Sequence, residues 1–516
     1  MTKMQRLFWE MQCKSLSCKS ASGMRWHPMM VRLAIRLESK GPGCYDEFRK
    51  IVHFPCKTTL QDYTHINPEH LGIRSDNIDK LVKNMPEHGK GNYVSLMFDE
   101  MTIREGVVFD SKSGQLIGYT NLDEVEAEIE RLDSNNSFHK PKLAKKVLVF
   151  MAKNITGGKS LKEAVAIYAV TSATADQIYR RTWAVIEELE NRSVKVLCLV
   201  CDGATTNRSF FKMMQHPDAD GTRPPFSTKN IFSGDEDRDL FFISDAPHLI
   251  KCLRNNFYSH NLWKNGQEIS WSSITALYER SKKETLRRCC KLTKGHVELD
   301  NFPKIKVFFA ALVMSEAVAS ELQLVDPVSF RETINFIKLM DNFSDCLNGR
   351  PSLQGKQSFN PEFNPYNDMN DSRFQFLQDV LTYFDYWKEE VMSRPRNFKK
   401  ANRKSMTITD ETRNGIYITV NGFTGAVRHL LSKGINYVNG RDFNQDDLEQ
   451  YFGHQKGIGR QSNNPVLKQV LQNDTKISLG NQLAVVVKKN AYTKIGPMIG
   501  EDLDTTPLKQ RKRTRP

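Results

Sequence analysis

The sequence predicts an α/β fold built on a mixed sheet. Three observations carry that expectation. Short apolar runs at Val94–Phe98, Gly106–Phe109, Lys146–Met151 and Val165–Val170 are bounded by turn residues and read as strands. The segment Ser172–Arg192 places Ile178, Trp183, Ile186 and Leu189 at helical spacing. Two further apolar runs follow it, Val194–Val200 and Leu240–Ser244, and the second leads into a helical stretch from Pro247 to Phe257.

Taken in order, residues 1–23 form a basic, weakly patterned N-terminal segment. Residues 24–90 are helical in pattern, with Gly41-Pro42-Gly43 as a turn between two helical stretches. That arrangement is compatible with a helix-turn-helix DNA-binding region, but the absence of a basic recognition helix favours a small helical subdomain. Residues 91–258 carry the strands. Antiparallel strands, then a helix, then strands alternating with helices match the order and lengths of a ribonuclease-H-like core. Residues 259–435 are mostly helical, as in Lys304–Leu322 and Asp371–Val391, around a Pro/Asn-rich loop at Ser352–Asn370. This region reads as an insertion. Residues 436–495 return to the core, and residues 496–516 form a basic tail.

Composition narrows the function classes. The 516 residues include 74 Lys+Arg against 60 Asp+Glu, a net charge of +14, which suits a polyanionic partner such as nucleic acid. Hydrophobic residues make up 39% of the chain and aromatics are plentiful, so a wholly disordered chain is excluded. The ten cysteines contain one CxxC, Cys198/Cys201, with no second pair at zinc-site spacing. That usage predicts a reduced, intracellular protein. No apolar run is read as long enough to span a membrane.

The chemistry resides in carboxylates. Asp99 and Asp202 each close a buried strand run, and the carboxyl edge of an α/β sheet is where sites form. Carboxylates there can hold Mg²⁺, which takes oxygen ligands together with water and substrate phosphate. A third acid from a helix on the sheet would complete a two-metal site. Glu449 is the best candidate. Its helix is expected to start with an N-cap at Asn444, with Asp446 and Asp447 as first-turn acids and Leu448 and Phe452 docking on the sheet. Asp245 ends another strand and is a rival that spacing alone does not exclude.

Six motifs occur in order: Phe98-Asp99-Glu100-Met101, Cys201 to Arg208, Ser244 to Lys251, Lys291-Leu292-Thr293, Lys304 to Val307, and Asp447 to Gly453. On these the chain resembles the P-element-type DNA transposases, relatives of the vertebrate THAP-domain proteins, from Trp26 to beyond Gly453. The resemblance implies a ribonuclease-H-like core interrupted by a GTP-binding insertion domain. It puts the catalytic, metal-holding acids at Asp99, Asp202 and Glu449, with two Mg²⁺ ions, and makes Asp245 structural. It implies GTP contacts from Lys291, Lys306, Val307, Asp345 and Asp446. Ser344 stands where the family has an aromatic near the nucleotide, which weakens stacking there. The family's N-terminal C2CH zinc finger is missing, which implies either a shortened chain or another means of DNA recognition. Residues alone do not point to GTP: Gly158-Lys159-Ser160 lacks the leading Gly of a phosphate-binding loop and reads as a turn. The Gly-rich stretch Gly453–Pro465 reads either as a phosphate-contacting loop or as a plain flexible one.

The resemblance therefore implies a nuclear DNA transposase. It would cut transposon ends, join the freed 3′-OH to target DNA, bind GTP and act as a homo-oligomer on DNA. A domesticated, catalytically silent DNA-binding descendant is the alternative. A GTP-binding switch protein with a scaffold core is a third reading, opposed by the missing phosphate-binding loop and the basic charge.

Overall fold

A seven-stranded mixed sheet organises the chain in a computed structural model, which describes residues 2–18, 23–64, 71–85, 91–110, 114–121, 142–156, 161–215, 221–283, 292–349, 360–394, 403–458 and 464–481. Its strands are β1 (Gly72–Ile73), β2 (Tyr93–Thr102), β3 (Lys146–Asn154), β4 (Lys162–Val170), β5 (Lys195–Cys201), β6 (Ser227–Lys229) and β7 (Asp239–Ser244). Their order across the sheet is β1-β4-β3-β2-β5-β7-β6. The pairs β2/β5 and β5/β7 are parallel and the others antiparallel. The alternation seen in the sequence is the physical basis of this arrangement, because successive side chains on a strand leave opposite faces. Val94, Leu96 and Phe98 enter one core, while Tyr93, Met97 and Met101 enter the other.

The first face is covered by α1 (Ala175–Glu190) and α2 (Thr205–Met213). Thr174 and Gln177 form a capping box at the start of α1, which buries Ile178, Val185, Ile186 and Leu189. The second face carries α3 (Ala246–Ser259), α6 (Asp410–Ser432), α7 (Asp446–Ile458) and the helices between them, which include α4 (Val307–Val313) and α5 (Arg331–Asn348). α6 lies directly on β7, so it covers the sheet although it falls within the span 259–435 expected to be inserted. That approach depends on two glycines. A Cβ at Gly422 would sit 1.9 Å from the Phe242 carbonyl oxygen, and one at Gly425 would sit 2.4 Å from the Phe241 ring.

Several expectations change. The helix expected over Lys304–Leu322 is broken: Asn301–Ile305, Val307–Val313 and Glu316–Val325 are separate helices. The stretch Val307–Val325 does pass the length and hydropathy test for a membrane span, contrary to the sequence reading. It breaks at Met314–Ser315 and packs Ala310, Val313, Val318, Ala319 and Leu322 into the second core. The helices Pro28–Lys40 and Pro42–Ile51 are joined by Gly41 alone, shorter than the turn of a helix-turn-helix. Together with Lys57–Thr64 they form a small cluster around Met29, Met30, Ala34 and Leu60, against α8 (Leu467–Asn481). Gly453–Ile458 is the end of α7 rather than a loop, and residues 459–463 lie outside the described residues. Gly158-Lys159-Ser160 and the tail 496–516 also lie outside them.

The C-terminal return is fastened by buried charge. Lys153, on β3 with its side chain 4% exposed, pairs with Asp442 at 3.0 Å and Asp447 at 2.8 Å. Lys162 on β4 pairs with Asp447 as well. Asp447 is thus not an exposed first-turn acid. Burial pushes its carboxyl up, but the two ammonium groups outweigh this and hold it at about 2. Its contribution to stability is therefore fully present above pH ~4 and is lost as pH falls toward ~2. We expect Lys153→Met to destabilise the fold by about 3–5 kcal/mol, because it leaves buried carboxylates short of a partner. Urea unfolding near neutral pH checks this; a loss under about 1 kcal/mol would show that the group is a surface-like pair.

Candidate active site

Strand parity brings the first two acids to one face. Asp99 shares the parity of Met97 and Met101, and Asp202 that of Val200, so both lie on the side where α7 docks through Leu448, Tyr451 and Phe452. Asp99 lies two residues beyond the last parallel β2/β5 pair, Met97–Val200. The strand itself does not end there, since Asp99 still pairs with Val149 of β3 and β2 runs on to Thr102. Asp202 directly follows β5. Its Oδ1 accepts from Ala204 N at 2.9 Å and Asn207 Nδ2 at 2.7 Å, which fixes the carboxylate at the start of α2.

Asp99 is the electrostatically crowded member. Its Oδ1 accepts from Glu100 N at 2.7 Å, which favours the charge. Burial and then the neighbouring Asp202 outweigh that and push its carboxyl up to about 7, with Glu100 and Glu449 adding to the effect. Glu449 sits on the exposed side of the first turn of α7. Its carboxyl is raised by desolvation and by Asp446, with Lys251 opposing. Glu449 is thus close enough to act on Asp99. Even so, no group of three or more Asp, Glu, His or Cys among the described residues is close enough to hold a metal ion. The structure gathers Asp99 and Asp202 and leaves Glu449 on the rim. The donor chemistry fits Mg²⁺ all the same: oxygen ligands only, with a raised, repelling carboxyl that a divalent cation would relieve, and Mg²⁺ commonly takes one or two carboxylates with water and phosphate.

The rival acid has a different job. Asp245 is buried and caps α3 by accepting from His248 N at 3.0 Å, and its other oxygen accepts from Gln445 N at 2.8 Å. Burial pushes it up to about 7. One oxygen caps α3 and the other holds the start of α7, which agrees with a structural role. The N-cap expectation shifts by one residue. The helix begins at Asp446, the Gln445 carbonyl accepts from Glu449 N at 3.0 Å, and Asn444 Oδ1 accepts from Asp446 N at 3.2 Å. Gln445 Nε2 also donates to the Phe98 carbonyl at 2.8 Å. Sequence reading missed Gln445 and Lys153, and neither stands in a pattern that could have exposed it.

The residues expected at GTP are placed in part. Lys291 lies outside the described residues. Lys306 is the N-cap of α4, with its Nζ 4.7 Å from the Phe309 ring centroid, and Val307 opens that helix. Asp345 is buried on α5, accepts from Asn360 Nδ2 at 2.6 Å, and is pushed up to about 7 by burial and Asp341. Asp446 pairs with Arg441 at 3.3 Å. α5 and the start of α7 are tied by Asn444 Nδ2 to Asn348 Oδ1 at 3.1 Å and Arg441 N to the Gly349 carbonyl at 3.2 Å. Asp345 and Asp446 therefore belong to helices that meet at one junction.

Comparison with known proteins agrees with this architecture. Residues 70–215 match the family model for the TNP-like RNase H N-terminal domain, and residues 247–360 match that for the TNP-like GTP-binding insertion domain. The chain is 22% identical over 473 residues to the Transposable element P transposase of Drosophila melanogaster, covering 89% of this chain and 55% of that protein. It thus spans about half the length of that relative. The solved structure of the Drosophila P element transposase strand transfer complex shares the fold, with a TM-score of 0.70 at 20% identity over 92% of this chain and 97% of that one.

The Asp99 carboxyl supplies a test of the site. Its pKa is raised on folding, so the folded state favours the protonated acid. The destabilising contribution of this group is absent below pH ~4 and grows as pH rises toward about 7. Asp99→Asn should therefore stabilise the metal-free protein at pH ~8, by about 1–2 kcal/mol after discounting for partial exposure, and have little effect at pH ~4. Added Mg²⁺ should raise the Tm of the wild type and leave that of the variant nearly unchanged. Thermal melts at the two pH values check both; a variant that melts lower at pH ~8 would contradict the assignment.

Proposed function

From the premise that this chain is a relative of the P-element-type transposases, carrying the TNP-like RNase H and GTP-binding insertion domains, we propose that it is a DNA transposase that cuts and joins strands at an Asp99, Asp202 and Glu449 site. The observation that carries this reading is the convergence of acids at the sheet edge, with Asp99 held at about 7 beside Asp202 and, among the described residues, no cationic side chain bonded to it. An enzyme with no use for a cation there would be more stable without that repulsion.

Asp99 and Asp202 would hold Mg²⁺, with Glu449 closing the set from the first turn of α7. Mg²⁺ at such a site supplies charge that activates an attacking oxygen and steadies the leaving one. Asn207 and the Ala204 amide keep Asp202 oriented, and Asp245 fixes the helix that carries Glu449. In the reaction proposed, water attacks a phosphodiester and releases a 3′-OH. That hydroxyl then attacks a second DNA strand in line, displacing a strand end without a covalent enzyme intermediate. The net charge of +14 suits the DNA substrate. GTP would be a bound cofactor of the insertion domain, in contact with Lys291, Lys306, Val307, Asp345 and Asp446. The protein would act in the nucleus as a homo-oligomer on DNA. The second reading, a catalytically silent DNA-binding descendant, draws on the open carboxylate set, and Mg²⁺-dependent cleavage separates the two.

Glu449→Gln should lower Mg²⁺-dependent release of 3′-OH ends by orders of magnitude while leaving DNA binding and stability close to wild type, because it removes one ligand charge and no packing. Cleavage of labelled DNA by the purified protein measures this, and wild-type cleavage by the variant would remove Glu449 from the site. DNA affinity itself should fall steeply with salt, with a log–log slope of about −0.9 for each phosphate neutralised. Titrations at several salt concentrations test it, and tight binding indifferent to salt would argue against phosphate-dominated recognition.

A further inference from the structure

Gln445 has a connectivity that its neighbours lack. Its side chain is buried, and three of its hydrogen-bonding groups, the side-chain Nε2 and the backbone amide and carbonyl, end next to a candidate carboxylate. The carboxamide Nε2 donates 2.8 Å to the Phe98 carbonyl, immediately before Asp99 and just past the last β2/β5 pair. The backbone carbonyl accepts 3.0 Å from the amide of Glu449 itself. The backbone amide donates 2.8 Å to Asp245, whose own amide donates 2.9 Å to the Cys201 carbonyl, immediately before Asp202. These links span 347 positions to Phe98 and 200 to Asp245.

We propose that Gln445 is the positioning residue that sets Glu449 against Asp99 and Asp202. It touches neither metal nor DNA and acts through the three acids, and the inference rests on the metal-site reading given above. The two backbone links belong to any residue at this position. The link to Phe98 belongs to the glutamine side chain alone. Without it, the start of α7 stays joined to β5 through Asp245 but loses its hydrogen bond to the strand beside Asp99. The relative placement of Glu449 and Asp99 then loosens while the helix remains docked through Leu448 and Phe452. Partners that orient metal ligands without binding metal commonly influence affinity by about 10–100-fold.

The test compares Gln445→Met, which keeps the length and burial of the side chain and removes the donor, with Ser95→Ala. Ser95 supplies a second hydrogen bond from β2 to the segment before α7, from Oγ to the Asp442 carbonyl at 3.2 Å, but it is not adjacent to any of the three acids. Mn²⁺ binding followed by electron paramagnetic resonance, and the Mg²⁺ concentration for half-maximal DNA cleavage, are measured for both variants and wild type. Gln445→Met should weaken Mn²⁺ binding and raise the Mg²⁺ midpoint by about 10–100-fold. Ser95→Ala should lower Tm and leave both metal readouts at their wild-type values. If Gln445→Met does not fold, Gln445→Asn, which retracts the amide by one methylene, should show the same loss. Wild-type metal affinity in the Gln445 variant overturns the proposal, as does an equal shift in Ser95→Ala, which would mean general loosening. A wild type that binds no Mn²⁺ overturns the metal-site reading itself, and the proposal with it.

Discussion

A lysine ammonium in the middle of a sheet has to be paired, and the pairing of Lys153 holds this fold closed. Its strand lies in the first third of the chain, and its partners Asp442 and Asp447 come from the last fifth. A buried cation without those partners would cost several kcal/mol, comparable to much of a domain's net stability. The same ion group fixes where α7 begins. A second buried pair, Arg74 with Asp474 at 2.7 Å, repeats the device for α8, and the Tyr451 hydroxyl donates to Asp474 at 2.7 Å. The two C-terminal helices are thus pinned to the N-terminal half by charge as well as by apolar contact.

That fastening explains how one core tolerates a long excursion. The chain leaves the sheet after β7 through α3 and returns along α6, which packs on the strand just left behind. The close approach at Gly422 lets backbone meet backbone there, Gly425 leaves room for the Phe241 ring, and Thr419 Oγ1 donates 2.7 Å to the Ser244 carbonyl. Arg254 of α3 reaches the excursion itself, donating to the Pro303 and Lys304 carbonyls at 3.3 and 3.0 Å. The intervening helices therefore continue the second core rather than hang from it.

Acids at the sheet edge are held under two different regimes. Asp447 is compensated by lysines and held at about 2, while Asp99 and Asp245 are pushed up to about 7. Asp245 offsets its burial by accepting two backbone amides, so it serves structure. Among the described residues Asp99 accepts only the amide that follows it, and it faces Asp202. Destabilisation that persists in one place, beside others where the protein supplies a counter-charge, marks the place where a cation or substrate is expected to supply it.

Much of the core was legible in the sequence because its signals are local. The run Val94–Phe98 and the run ending at Cys201 show a strand by their apolar pattern, and Asp202 falls at the strand's end as a matter of chain direction, whereas Asp99 lies inside a strand that runs on to Thr102. The helix over Ala175–Glu190 carries its cap and its apolar stripe within its own residues. Asp447 and Asp245 were not legible in this way. One reads as a helix-start acid and the other as a strand-end acid, and only a lysine 285 positions away, or a backbone amide 200 away, separates their roles from that of Glu449. Gln445 carries no local signature at all. The break at Met314–Ser315 was hidden too, since an apolar run reports burial but not whether tertiary packing keeps it one helix. Periodicity along a chain specifies which face a residue takes. It does not specify the partner met there, because a polar side chain's partner is chosen by the packing of elements far apart in sequence, and that choice exists only in three dimensions.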